Sequence, residues 1–430
     1  MSNETFEVNN FTIIKEQLLI WASQFSSCSF LDNNQYQSQW KQQECLVAAG
    51  VLHEINVAPG NALPQLQQFL DDHKGEWIFG HLSYDLNAEI EPAPIVANDP
   101  VAFAGLSFFV PQTVFRLTDK LLSIFSNEKP PADIWKDVCG TDRSLKPATT
   151  IVVLEARTKM QEYLEIIGKL KEHIHRGDCY EINFCQEFYA ENILVDSVYL
   201  FKKLSSLSPN PFACYYKIKQ SHLVCASPER YISRNGNRLF SQPIKGTASR
   251  NLENVFDDRN RVLQLQNSPK ERSENVMVVD LVRNDLSRIC REGTVKVDEL
   301  FGIYTYPHVH QMISTVSGET KPGTTFTDII KATFPMGSMT GAPKKKVMEL
   351  ISKYESGSRG LFSGAVGYIS PEGNFDFNVV IRSLLYNSQT EYLSYWVGGG
   401  ITWYSNAADE YDECMLKAIA IKKVLQEATP

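Results

Sequence analysis

The first ~125 residues alternate apolar and polar positions in short runs, the pattern of strands with short helices. Trp77-Ile78-Phe79-Gly80-His81-Leu82 and Ala102-Phe103-Ala104-Gly105-Leu106-Ser107-Phe108-Phe109-Val110 read as strands. From Asn127 to about Thr149 the polar, proline-bearing stretch NEKPPADIWKDVCGTDRSLKPATT predicts a surface loop or linker. Between Thr158 and His175 the spacing turns helical, with Tyr163, Ile166, Ile167, Leu170 and Ile174 on one stripe. Arg176-Gly177-Asp178 closes that helix, the glycine supplying a left-handed cap. Glu181 to Phe188 then alternates as a strand. The remainder mixes strands and helices without a regular βαβ beat, so the pattern predicts a mainly antiparallel sheet core with outer helices rather than a Rossmann fold.

Composition narrows the classes of function. A chain of 430 residues with 43% hydrophobic and 21% charged positions suffices for one large or two ordinary globular domains. No uncharged apolar run approaches the ~20 residues that cross a bilayer, which argues against a membrane protein. The N-terminus has neither the basic start nor the apolar core of a secretory signal. Nine scattered cysteines, odd in number and without a CxxC pair, argue against a disulfide framework and a zinc site. Reduced thiols in a cytoplasmic protein are the expectation. A net charge of −8 argues against nucleic-acid binding, yet leaves room for a locally positive pocket.

Two glutamate pairs share one spacing. Ser268 suits an N-cap and Pro269 the first helical position, which puts Glu271 and Glu274 on one helix face. Glu410 and Glu413 repeat the arrangement near another helix start. Each pair has a plain reading: acids in a first turn complement the helix dipole for ~0.3–1 kcal/mol. Glu413 with Lys417 makes an ordinary i,i+4 pair worth ~0.2–0.5 kcal/mol. Were the two helices to face each other, four carboxylates would need neutralising, and a hard divalent cation such as Mg²⁺ does this while sharing an anionic substrate.

The loop Phe334-Pro-Met-Gly-Ser-Met-Thr-Gly-Ala-Pro-Lys-Lys-Lys carries Gly337 and Gly341 for tight backbone geometry and Ser338 and Thr340 as hydroxyl donors. Pro343 opens a helix whose exposed amides suit an anion. Lys344, Lys345 and Lys346 are either solvated charge or an electropositive mouth. Gly398-Gly399-Gly400 ends an aromatic strand and either turns the chain or brings backbone amides close to a ligand. Arg382 is read as a charge inside an apolar strand, where a bidentate carboxylate is its expected partner.

Together these segments resemble the chorismate-utilising enzymes. The likeness is strong from about Thr158 to Ala420 and rests on six ordered motifs: Gly-Asp-Cys-Tyr-Glu-Ile-Asn-Phe-Cys-Gln, Ser-Pro-Glu-Arg, Pro-Ile-Lys-Gly-Thr, Asp280-Leu-Val-Arg-Asn-Asp-Leu, the Gly-Ser-Met-Thr-Gly-Ala-Pro loop, and Gly-Gly-Gly-Ile with the final glutamates. The resemblance implies an α+β fold, a large two-layer β-sandwich of mainly antiparallel sheets with outer helices. Residues 1–145 would contribute strands to the sandwich and 150–430 would form the chorismate-binding catalytic region. It implies Mg²⁺ among Glu271, Glu274, Glu410 and Glu413, bridging to the ring carboxylate of chorismate. Arg382, Tyr368 and the Gly398–Gly400 amides would hold the enolpyruvyl carboxylate, with Ser338, Thr340, Gly341 and Lys417 also in the substrate site. The acids from Asp280 to Asp285 would support packing.

Within the family, Lys245 in Pro-Ile-Lys-Gly-Thr resembles the aminodeoxychorismate branch, where anthranilate synthases carry alanine. It implies that the lysine amine attacks C2 and expels the C4 hydroxyl, after which ammonia adds at C4, expels the lysine and gives 4-amino-4-deoxychorismate, a p-aminobenzoate and folate precursor. An ordinary lysine pKa of ~10.4 leaves little free amine at pH 7, so burial and a neighbouring cation are expected to lower it. Glu181 stands where water-adding relatives carry lysine. The family's general-acid histidine aligns with Gln311, and His310 beside it is the candidate acid. No glutaminase signature is present, which implies a separate glutamine amidotransferase as the source of ammonia. The rival readings are an anthranilate synthase component and a non-catalytic chorismate-binding or regulatory subunit.

Overall fold

The computed structural model describes residues 2–91, 99–144 and 152–427. Two large sheets dominate, and every ladder between their strands is antiparallel. The twelve-stranded sheet runs from Ser2–Glu7 at one edge through Ser27–Asp32, Phe212–Ile218, Ser383–Asn387, Tyr392–Ile401 and Glu181–Ala190 to the short Gly341–Ala342 edge. The ten-stranded sheet runs from Ile244–Ser249 through Val309–Glu319, Arg230–Asn235, Ala365–Ile369 and Ile78–Leu82 to His53–Val57. This is the α+β sandwich that the sequence implied.

Its core has three layers. Phe79, Phe109, Tyr216, Leu385 and Trp396 pack between the sheets. Leu18, Tyr163, Ile167, Phe184 and Tyr395 join the outer helices to the larger sheet. Phe108, Val278, Ile329 and Phe377 do the same for the smaller one. Strands covered on both faces need no polar side, which explains the unbroken apolar run at Ile78–Leu82. There Phe79 points to the inter-sheet layer, while Ile78 and Leu82 point to the helices. Strands from the first 126 residues enter both sheets: Ser27–Asp32 pairs with Phe212–Ile218, and Ile78–Leu82 with Ala365–Ile369.

The predicted helix forms over Met160–His175, buries Tyr163, Ile166, Ile167 and Leu170, and ends before Gly177 at φ +83°. The stretch read as a loop from Asn127 contains a helix instead, Pro131–Cys139. Its prolines mark the helix start, Ile134 and Val138 are buried one turn apart, and Trp135 stacks on Phe6 at 5.5 Å. The end of that stretch lies outside the described residues. No helix among the described residues is long and apolar enough to cross a membrane.

Candidate active site

A cavity of about 150 Å³ opens between the edges of the two sheets, and Lys245 lies in its wall. The local backbone explains how the lysine gets there. Ile244 sits opposite Ile313 and Thr247 opposite Gln311, so three steps on one strand meet two on the other. The extra residue makes a bulge at Lys245–Gly246. Gly246 takes φ +89°, and a Cβ there would stand 2.9 Å from Glu271 Oε2 and 3.1 Å from Leu265 Cδ1. Lys245 Nζ donates to Glu181 Oε1, on the first residue of the Glu181–Ala190 strand. Gly400 makes room for this pair: a Cβ there would approach Glu181 Oε1 to 2.6 Å and Lys245 Nζ to 2.8 Å.

Burial pushes the Lys245 ammonium toward a lower pKa, as expected. Glu181, Glu274 and Glu229 outweigh it and hold the group well above its ordinary value. Lys245 is therefore an ion-paired ammonium here, and the expected depression is not observed.

All four glutamates line one end of the cavity. Ser268 accepts from the Glu271 backbone N–H to cap the Pro269–Ile289 helix, and Asn406 caps Ala407–Lys417 through Ala408 and Asp409. Lysines supply counter-charge: Lys417 lies 2.9 Å from Glu413 and Lys270 lies 3.7 Å from Glu410. The plain i,i+4 reading of Glu413 with Lys417 thus holds alongside the shared cavity. Lys417 holds Glu413 below the usual carboxylate range. Burial raises Glu271 and pushes Glu274 up to about 7, and Glu274 Oε1 has no hydrogen-bond partner. No three His, Cys, Asp or Glu side chains among the described residues form a ready metal cage. The donor chemistry nevertheless fits a hard divalent cation: carboxylate oxygens only, one of them buried and unpaired.

The other end is positive. Arg382 does not lie inside a strand; it occupies the bend between Phe375–Asn378 and Ser383–Asn387 at φ +51°, a conformation non-glycine residues rarely adopt. Among the described residues its guanidinium has no carboxylate within ion-pair distance, and burial lowers its pKa against the opposing pull of Tyr306 and Glu229. Glu229 turns out to belong to the site. It is buried, accepts a 2.7 Å hydrogen bond from Ser338 Oγ, and is pushed up to about 7 by burial despite that bond and the cations Lys245 and Arg382.

The three glycines lie within the Tyr392–Ile401 strand rather than beyond its end. They pair with Asn183, Phe184 and Cys185. A Cβ on Gly398 would meet Cys185 Sγ at 2.3 Å, so close strand approach also requires glycine there. Lys417 Nζ donates to the Gly398 carbonyl at 2.9 Å.

Glu181 reaches the cavity only through Lys245, and four further expected positions fall elsewhere. His310 is buried on the helix side of its strand, between Thr305 Oγ1 and Asp258 Oδ1 at 3.0 Å each, and does not line the cavity. Alternation gives the cavity side to Gln311. Tyr368 lines a second cavity with Asp32 and Arg230, while Phe362 takes a place in the first. Thr340 bonds back to the Met336 carbonyl at 3.2 Å. Gly341, at φ +144°, packs tightly against the neighbouring strand, where an added Cβ would stand 2.1 Å from the Glu181 carbonyl oxygen. None of Lys344, Lys345 and Lys346 lines the cavity, and Lys344 pairs with Asp285 at 2.8 Å. Sequence reasoning missed Glu229, though it sat in the quoted Ser-Pro-Glu-Arg motif; the signal was an acid beside a proline within an apolar region.

Known structures share this architecture. Anthranilate synthase component I from Streptococcus pneumoniae superposes with a TM-score of 0.76 at 22% identity, covering 90% of this chain and 95% of that one. The menaquinone-specific isochorismate synthase of Escherichia coli gives 0.76 at 16% identity, covering 99% and 95%. The fold is thus the one these two synthases share. The sequence signature described as chorismate binding enzyme matches residues 27–423, and the chain belongs to that family of enzymes. Aminodeoxychorismate synthase component 1 of Escherichia coli is 32% identical over 81% of this chain and 76% of its own length. An anthranilate synthase component I-like protein from Synechocystis is also 32% identical, over 87% and 76%.

Proposed function

We propose that this enzyme aminates chorismate at C4 with ammonia to give 4-amino-4-deoxychorismate. The observation that carries the reading is Lys245, set by a bulge into a cavity with a carboxylate end and an unpaired guanidinium end. Chorismate carries two carboxylates, and the two ends offer each a partner. Arg382 takes the enolpyruvyl carboxylate. Glu271, Glu274, Glu410 and Glu413 would hold Mg²⁺, which supplies positive charge for the ring carboxylate.

The residues then divide the proton work. Glu181, ion-paired with the Lys245 ammonium in the ligand-free site, takes its proton once the substrate fills the cavity, and the freed amine forms a bond to C2 while the ring double bonds shift and the C4–O bond breaks. Glu229, protonated near neutrality, gives its proton to the departing hydroxyl, which leaves as water. Ammonia next bonds to C4, the double bonds shift back and the C2–N bond breaks. Glu181 returns its proton to the lysine, and Glu229 recovers one from the new ammonium. The net change is chorismate plus ammonia to product plus water. A separate glutaminase subunit supplies the ammonia, a reading supported by the "component 1" in the relatives' names.

The name of the Synechocystis relative favours a second reading, amination at C2 with pyruvate release. Mass spectrometry of products from chorismate, ammonium and Mg²⁺ at pH 8–9 separates the two. 4-Amino-4-deoxychorismate is expected as the main product, and anthranilate or isochorismate in its place overturns the assignment. Lys245→Ala is expected to lose activity, and full activity in that variant removes the covalent step alone.

A further inference from the structure

Gln311 is fully buried, lines the cavity, and has no hydrogen-bond partner for either Oε1 or Nε2. It lies on the Val309–Glu319 strand opposite Thr247, just past the bulge that carries Lys245. A carboxamide removed from water with both ends unsatisfied is costly to the ligand-free fold. Gln186 shows that burial without partners is not enough to mark a site: its amide is equally unpaired, but it lines neither this cavity nor the one beside Tyr368. Gln311 differs because its amide borders the space that receives the substrate.

We propose that Gln311 is a specificity-determining residue that reads a hydroxyl and a neighbouring ether oxygen on the substrate ring. The inference rests on the chorismate reading above. The carboxamide presents an acceptor beside a donor, and a ring carbon bearing a hydroxyl next to one bearing an ether presents the complement. Oε1 accepts from the hydroxyl, and Nε2 donates to the ether oxygen. A carboxamide transfers no proton in the working pH range, so it holds the leaving group without competing with Glu229 or Glu181 for proton transfer.

The test uses the full chain and three measurements: thermal midpoint without ligand, equilibrium binding of chorismate, and binding of an analogue lacking the C4 hydroxyl. Gln311→Leu is expected to hold or raise the ligand-free midpoint, because it removes an unsatisfied amide. It is expected to weaken chorismate binding ten- to hundredfold and to weaken binding of the deoxy analogue, which keeps only the ether contact, by a clearly smaller factor. Gln311→Met serves the same purpose should the branched side chain fit poorly. A lowered midpoint with unchanged affinity shows a purely structural glutamine and overturns the proposal. Equal losses for chorismate and the analogue overturn it as well. Wild type that binds no chorismate fails the substrate reading itself, whereas wild-type binding with undiminished binding by both variants fails only the role of Gln311.

Discussion

The two ends of the cavity solve the problem of buried charge in opposite ways. At the glutamate end two of the four acids have company, Lys417 beside Glu413 and the half-exposed Lys270 beside Glu410. At the other end Arg382 has no ion-pair partner among the described residues and sits on a strained bend between two strands. A site that must exchange counter-ions keeps them loosely held; a site that waits for one anion leaves its cation unpaired and rigid. The substrate reading makes definite demands on both.

Arg382→Ala should be the most damaging change at the ends, because it removes the sole partner proposed for a buried carboxylate. A rise in KM for chorismate of roughly 30- to 1000-fold is expected in steady-state kinetics. Arg382→Lys should recover little of it, since a point charge lacks the bidentate fork. An unchanged KM would mean that the guanidinium faces no anion.

Gly400→Ala tests the midpoint between the ends. Its methyl would press on both Glu181 Oε1 and Lys245 Nζ, and a displacement of that size should lower kcat on the order of 100-fold with KM nearly unchanged.

The acids at the two ends should titrate apart. Glu229 is raised to about 7, whereas Glu413 is lowered by Lys417. A raised carboxyl keeps its proton below that value and loses it above, so kcat at fixed free ammonia should fall about tenfold per pH unit above ~7. Glu229→Gln should abolish that limb along with most of the rate.

Should the glutamates hold Mg²⁺ as proposed, Glu274→Gln should raise the Mg²⁺ concentration needed for half-maximal rate by roughly tenfold, because it weakens one proposed ligand and keeps its volume. Lys270→Met should have the smallest effect, within about threefold, as expected for a partly exposed ion pair. A larger effect of Lys270→Met than of Glu274→Gln would mean that the glutamate end relies on its lysine counter-charge rather than on a bound cation.

Much of this site was legible in the sequence. The i,i+3 spacing of the glutamates transfers directly to one helix face, and Lys245 and the glycines were marked by motif. Apart from Glu229, which was missed, the errors at the site concern direction rather than presence. On a strand, neighbours face opposite ways, so only one of two adjacent residues meets the cavity. That is how Gln311 replaced His310. Tyr368 looked equivalent to its neighbours but faces another cavity, and Arg382 looked like a strand residue because its φ of +51° leaves no trace in the sequence pattern. Lys245 shows a further limit: burial and the charges around it act in opposite senses, and only their placement decides which wins.

The interleaving of the sheets bears on how the molecule is made. Glu181–Ala190 pairs with Tyr392–Ile401, and the Lys245 bulge is held by Val309–Glu319. During synthesis the lysine emerges long before Gly400, so a nascent chain can hold every residue up to the bulge and still have no site. Contacts of such sequence separation are slow to form. The last strand and the Glu410 helix are therefore expected to complete the enzyme in one late step, and a chain cut before Tyr392 should leave unpaired strand edges, prone to aggregation, rather than a weaker catalyst.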